Sequence, residues 1–206
     1  MKKKFRTAAF AAAPVALALA LAGCTTTTAG DGAGMPGMGH GGGSSSSPSA
    51  MIQGEYNAAD SMFAMMMIPH HEQAIEMSDI ILAKNGVDQR VLDLAQQIKD
   101  AQGPEIELME SWLDDWGMPS SGGMNGMDHG DGMMSDADMD ALEAADGSAA
   151  ARLYLEQMIE HHEGAIEMAQ DELDDGANRD VLALAQRIIT SQTAEIATME
   201  DLLTQI

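Results

Sequence analysis

Two stretches of the chain set adjacent histidines among methionines at helical spacing. Met67-Ile68-Pro69-His70-His71-Glu72 leads on to Met77, and Met158-Ile159-Glu160-His161-His162-Glu163 leads on to Met168. Imidazole nitrogen and thioether sulfur together suit copper, above all Cu(I), better than hard ions such as Mg²⁺ or Ca²⁺. On a helical wheel of about 100° per residue, Met67, Ile68, His70, His71, Ala74, Ile75 and Met77 fall within one half-circle. Glu72, Gln73, Glu76 and Asp79 fall on the other. The same wheel holds for Met158, His161, His162 and Met168, with Glu163 and Glu167 outward. The histidines are therefore expected to face the core or its edge, and the neighbouring carboxylates to face water. Packing is the competing explanation, because methionine at helical spacing commonly fills core gaps and duplication copies structural residues as faithfully as ligands.

The spacing speaks against two other metal chemistries. Ferritin-like di-iron bundles supply hard oxygen ligands through inward glutamates and a Glu-x-x-His pattern. Here the residue three before His70 is Met67, and three before His161 it is Met158. A zinc-protease H-E-x-x-H is absent, since His71-Glu72 is followed by Ile75 where a second histidine would stand. A redox enzyme acting on Cu(I) or peroxide would need an open coordination position and a carboxylate for proton transfer on the inward face. The wheel provides no such carboxylate. Cys24 is the one cysteine, which leaves no internal disulfide, thiolate metal site or nucleophile.

Two Gly-rich segments repeat the donor set outside any periodic element. MPGMGHG (Met35, Met38, His40) and MNGMDHG (Met124, Met127, His129) share M-x-G-M-x-H-G, with Met133 and Met134 close behind the second. A Gly-rich loop has no core for methionine to fill. Two thioethers and an imidazole within six residues can close around a soft ion with little backbone resistance. These six residues are expected as additional linker ligands; low-complexity drift or oxidant scavenging would also account for the methionines.

The elements that position these donors come from an internal repeat. FAMMMIPHHEQAIEMSDIIL from Phe63 lies over YLEQMIEHHEGAIEMAQDEL from Tyr154 at an offset of 91 residues, and VLDLAQQIKDAQGPEIELME from Val91 over VLALAQRIITSQTAEIATME from Val181 at 90. Asn85-Gly86 then Asp88, and Asp175-Gly176 then Asn178, read as a helix stop followed by an N-cap in each copy. Helices are expected at about 57–85, 88–116, 148–174 and 178–205. The short turns make each pair antiparallel, and the fold class is all-α: a four-helix bundle made of two repeated antiparallel helix pairs. Gly103-Pro104 is expected to kink or break the second helix, because proline removes a backbone donor and clashes with the preceding turn. The organisation is then a signal peptide at 1–23, a flexible Gly/Ser/Thr/Met tether at 24–54, and a bundle domain at 55–206. Within that domain, repeat one runs over about 57–117, a Met/Gly-rich connector over 118–147 and repeat two over about 148–206. The connector contains one short helix near Asp136 to Ala145, capped by Ser135.

The N-terminus reads as an export signal: MKKKFR is a basic segment, TAAFAAAPVALALA an apolar one, and LAGC a small-residue cleavage site. Leu21-Ala22-Gly23-Cys24 resembles the bacterial lipobox, which implies lipidation of Cys24 and anchoring on the outer face of a membrane. No later apolar run is long enough to span a bilayer. The net charge of −23 includes four basic residues of the signal; without them 6 basic side chains face 33 acidic ones, for −27. Such a chain repels nucleic acid and anionic headgroups. The expected partners are a metal ion, a membrane through the lipid anchor only, and a metal-delivery or efflux protein.

At M-I-x-H-H-E-x-A-I-E-M, followed by L-A-x-x-I and Q-x-x-E-I-x-x-M, the sequence resembles the bacterial family known as domain of unknown function 305, placed among ferritin-like folds. The resemblance covers most of residues 55–206. It implies a secreted or lipid-anchored helical bundle, some relatives being periplasmic copper-binding proteins that act in copper resistance. Carried over residue by residue, it implies Met67, His70, His71, Met77 and Met109, with Met158, His161, His162, Met168 and Met199, as metal ligands. The second copy lacks proline before its His-His, and the first is interrupted at Gly103-Pro104; both depart from strict equivalence of two sites. The function expected is a lipid-anchored, non-enzymatic protein of copper sequestration or transfer, binding Cu(I), with Ag(I) as a surrogate ion. The alternatives are a metal-dependent redox enzyme of ferritin-like fold and a purely structural interaction module.

Overall fold

The computed structural model describes residues 55–119 and 132–206. The signal and tether, Cys24, and the linker residues Met35, Met38, His40, Met124, Met127 and His129 lie outside the described residues. Those described form five helices and no strand: α1 (Ala58–Leu82), α2 (Gln89–Asp115), α3 (Asp136–Ala144), α4 (Gly147–Asp175) and α5 (Arg179–Leu203). None of these helices is long and apolar enough to cross a membrane.

Local chemistry starts the helices. Asn57 accepts from the backbone N–H of Ala59 and Asp60, while the Asp60 carboxylate accepts from Asn57 N, which satisfies orphan donors at both positions. Ser135 and Asp138 form the same reciprocal box at α3. Asp88 and Asn178 cap α2 and α5. Asp60 does more than cap: it is fully buried, and its second oxygen accepts from Ala177 N at 3.1 Å and Asn178 N at 2.8 Å. One carboxylate thus fastens the start of α1 to the turn between α4 and α5.

Helix α1 packs along α2, α4 along α5, and α1 crosses α4, while the short α3 lies against both α1 and α4. Within the first pair Lys99 meets Asp79 and Glu105 meets His71, so rising numbers on one helix meet falling numbers on the other. Within the second, Arg152 reaches the carbonyl of Ile206 and His162 meets Glu195, again antiparallel. The apolar core falls into two clusters. One holds Met77, Ile81, Val91, Ile98, Tyr154, Met158 and Met199, closed over by Met134 and Leu142 of the connector. The other holds Phe63, Met67, Met109, Trp112, Leu113, Ala165 and Ile188.

Of the kink or break expected at Gly103-Pro104, a break does not occur: helix α2 is continuous through it. Pro104 denies a partner to the carbonyl of Asp100, but both residues are exposed, so water replaces the lost bond. Gln102 and Met109, buried on the opposite side, keep the helix pressed on its neighbour.

Gly132, where the connector re-enters the fold, has φ +88° and lies so close to α4 that a Cβ there would meet Glu160 O at 2.8 Å and Gly164 Cα at 2.9 Å. Gln73 secures the next residues, its amide oxygen accepting from Met134 N at 2.7 Å and its amide nitrogen donating to Met134 O at 2.9 Å. The connector therefore returns to the bundle within a turn of His161.

Candidate metal centre

All four histidines of the two His-His pairs are completely buried. The crossing of α1 and α4 brings His70 against His161, ring centroids 3.7 Å apart and planes inclined by 40°. The His161 and His162 rings lie 6.4 Å apart. Four imidazoles from two helices thus occupy one layer in the middle of the domain. Burial pushes the His161 pKa well below the ordinary histidine value, and the rings of His70, His162 and His71 push it further. Its neutral form, the form that ligates metals, is the one that persists.

The other two histidines are oriented by carboxylates. Glu105 of α2 lies 2.9 Å from His71 Nε2, and Glu195 of α5 lies 2.7 Å from His162 Nε2. A carboxylate oxygen accepts, so each Nε2 donates and the neutral ring keeps its lone pair on Nδ1. Each Nδ1 is buried and has no hydrogen-bond partner among the described residues. This is the arrangement in which an outer carboxylate fixes the tautomer of a metal-ligating histidine and raises its basicity.

Glu105 and Glu195 correct the expectation that carboxylates turn away from the histidines. It holds for the histidines' own helices, where Glu72, Glu76, Glu163 and Glu167 are exposed. The carboxylates that matter come from the neighbouring helices, 34 and 33 residues further along the chain. The Q-x-x-E-I-x-x-M stretch carried the signal: Glu105 stands four before the buried Met109, and Glu195 four before Met199. Gln102 and Gln192, one turn earlier, are each 2% exposed, and among the described residues Gln102 Oε1 and Nε2 and Gln192 Oε1 have no hydrogen-bond partner. Buried polar groups are almost always satisfied, so orphaned imidazole and amide atoms in both halves fit a layer that accepts a polar or ionic occupant.

The expected methionine ligands divide between the two core clusters, and the division crosses the repeats. Met77 of α1 shares its cluster with Met158 and Met199 of the second half. Met67 and Met109 share theirs with Ala165 and Val181 of the second half, and Met168 packs against it. Five of the six are fully buried, whereas Met168 is half-buried and also lines a cleft with Met62 and Met66. Among the described residues no three His, Cys, Asp or Glu side chains gather as a metal-binding group. The buried methionines of the same helices add thioethers to these imidazoles, a donor type that suits a soft monovalent ion.

The sequence profile of DUF305, a domain of unknown function, matches residues 60–203. Among solved structures, a DUF305 protein from Streptomyces coelicolor is 37% identical, with a TM-score of 0.67 over 71% of this chain and 93% of its own. A DUF305 fragment from Deinococcus radiodurans is 31% identical, with a TM-score of 0.65 over 73% of this chain and 98% of its own. CopM, also 31% identical, has been solved with Cu(I), where the TM-score is 0.60 over 71% of this chain and 96% of its own. CopM has further been solved with Cu(II), with silver and in the apo form. No protein of curated function matches the chain.

Proposed function

Because the chain belongs to the DUF305 family, we propose that it is an extracytoplasmic metal-binding lipoprotein that sequesters or transfers copper, held as Cu(I). The observation that carries this reading is the pair of carboxylate-oriented histidines. His71 and His162 each give Nε2 to a glutamate and keep Nδ1 buried and unpartnered, beside the His70 and His161 rings in contact. CopM's capture with Cu(I), Cu(II) and silver supports the choice of ion.

The ligand set we assign is His70, His71, His161 and His162, with thioethers from Met67, Met109 and Met168 on one side and Met77, Met158 and Met199 on the other. We read the domain as a four-helix bundle of two repeated helix pairs, each core cluster mixing methionines of both. Met35, Met38, His40, Met124, Met127 and His129 act as capture ligands in the linkers. The second linker ends at Gly132, packed on Glu160 and Gly164 of α4, so metal gathered there enters the domain close to His161. Cys24 carries the lipid that holds the protein on the outer face of the membrane. Export is in keeping with the description of the Streptomyces coelicolor relative as a secreted protein. Thioether and imidazole bind soft metal without thiols, which suits an oxidising compartment.

The test is a Cu(I) titration of the purified protein against a competing chelator, repeated for the variant with His70, His71, His161 and His162 all changed to Ala. The variant is expected to lose the tightest-bound copper. Equal uptake by the two proteins would overturn the assignment.

A further inference from the structure

The repeat invites a comparison of the two ends of the α1–α4 interface. At one end stand Met77, Ile80 and Ile81 of the C-terminal half of α1, Lys84 just past its end, and Leu153 and Gln157 of the N-terminal half of α4. The connector covers this end: Met134, Met139 and Leu142 pack over it, Gln157 donates to Asp138 O and Lys84 to Glu143 O. The residues at the same offsets at the other end are Met168, Asp171, Glu172 and Asp175 of α4, with Met62 and Met66 of α1. No connector helix packs there among the described residues. The groups instead line an open cleft of about 180 Å³.

The chemistry has changed along with the cover. Isoleucine, isoleucine, lysine, leucine and glutamine have become aspartate, glutamate, aspartate and two methionines. The carboxylates are what an uncovered face ordinarily acquires; the thioethers are not. This face gains two thioethers, on successive turns of α1, opposite the thioether that both halves retain. Met62 is exposed at 43%, and Met66 and Met168 are half-buried. Glu172 is 2% exposed, folded back over Gly176, where a Cβ would lie 2.1 Å from its carboxyl oxygen. No lysine or arginine lines the cleft.

We propose that this cleft is a second, solvent-accessible binding site for a soft monovalent cation such as Cu(I) or Ag(I). Met62, Met66 and Met168 are its thioether ligands, and the Asp171 and Asp175 carboxylates that line the same cleft neutralise the charge. Three neutral sulfurs satisfy a soft monovalent ion and offer little to Zn²⁺ or Mg²⁺. Its accessibility distinguishes it from the buried histidine layer: an ion here can exchange with an incoming carrier without the helices separating. The site shares Met168 with the ligand set assigned above and rests on none of the four histidines; Met62 and Met66, which belong to this cleft alone, distinguish the two.

The experiment uses the whole protein carrying ¹³C-methyl methionine, titrated with Ag(I) and followed by NMR, with methyl signals assigned from single Met→Leu variants. Leucine conserves volume closely enough to keep the fold, and helical circular dichroism verifies this for each variant. The methyl signals of Met62, Met66 and Met168 are expected to shift together. The combined variant Met62→Leu, Met66→Leu, Met168→Leu is expected to lose one ion equivalent, and the protein with its four buried histidines changed to Ala to keep it. If the combined variant fails to fold, the same shift is read in Met66→Leu, where Met62 and Met168 should respond only at higher Ag(I). Unmoved signals at saturation, or unchanged uptake by the combined variant, overturns the proposal. Loss of uptake in the histidine variant with these shifts intact would instead confine the copper of the histidine layer to that layer.

Discussion

Replacing Glu105 with alanine separates a ligand-orienting role from a packing role. Glu105 is about one-fifth exposed and takes the hydrogen bond of a fully buried His71 Nε2 at 2.9 Å. Its removal leaves a buried donor that water reaches only through the space the side chain filled. A buried group left unsatisfied costs about 1–3 kcal/mol, and the partial exposure of Glu105 places the cost at the low end. At roughly 2–4 °C per kcal/mol for a domain of this size, the metal-free protein should melt a few degrees lower. The larger effect is on metal. Loss of an outer carboxylate typically weakens metal affinity by about 10–100-fold, because the ring no longer holds its lone pair on Nδ1 or its orientation. The assay pairs thermal melts of the metal-free protein with Cu(I) competition titrations of wild type, Glu105→Ala, Glu105→Gln and Glu195→Ala. Gln keeps an acceptor oxygen without the charge, and should recover most of the melting temperature but less of the affinity. Lower melting temperatures with unchanged Cu(I) affinity in both alanine variants would refute the reasoning and leave the glutamates as structural partners.

Four further outcomes follow from other parts of the molecule. Asp60→Ala removes the acceptor of three backbone N–H groups and should cost about 2–3 kcal/mol, read as a lower melting temperature and faster hydrogen exchange in the first turns of α1 and α5. Glu172 has its pKa pushed up to about 8 from 4.5, by burial first and then by the neighbouring Asp60 carboxylate. The native state therefore holds a proton that the unfolded chain releases, and stability falls as pH rises from about 4.5 to 8; Glu172→Gln should flatten that fall and melt above wild type at pH 8, and parallel profiles would contradict this. Met67→Ala at a fully buried position should cost about 2–5 kcal/mol, and Met67→Leu less than about 1.5, so Met67→Leu tests the thioether with the fold intact. Cys24→Ser should move the exported protein from the membrane to the soluble fraction on cell fractionation.

Much of the fold was legible because it rests on periodicity and turn chemistry. Asp88, Ser135 and Asn178 announced helix starts, and the wheel that put the histidines inward needs only about 100° per residue. Of the kink or break expected at Gly103-Pro104 the break is absent, because a proline's effect depends on whether the carbonyl it orphans meets water, and that depends on which face the neighbouring helix covers.

Donor type and inward orientation of the histidines follow from residue identity and spacing along one helix. Which helices meet, and at what level, depends on the crossing of α1 over α4, a long-range packing outcome with no local signature. That crossing set His70 on His161, sorted the methionines across the two halves, and left Met62, Met66 and Met168 in an open cleft. Glu105 and Glu195 make the same point most sharply. Each stands one turn from a buried glutamine and a buried methionine of its own helix, but only the antiparallel packing of α2 on α1 and of α5 on α4 sets its carboxylate on a buried imidazole.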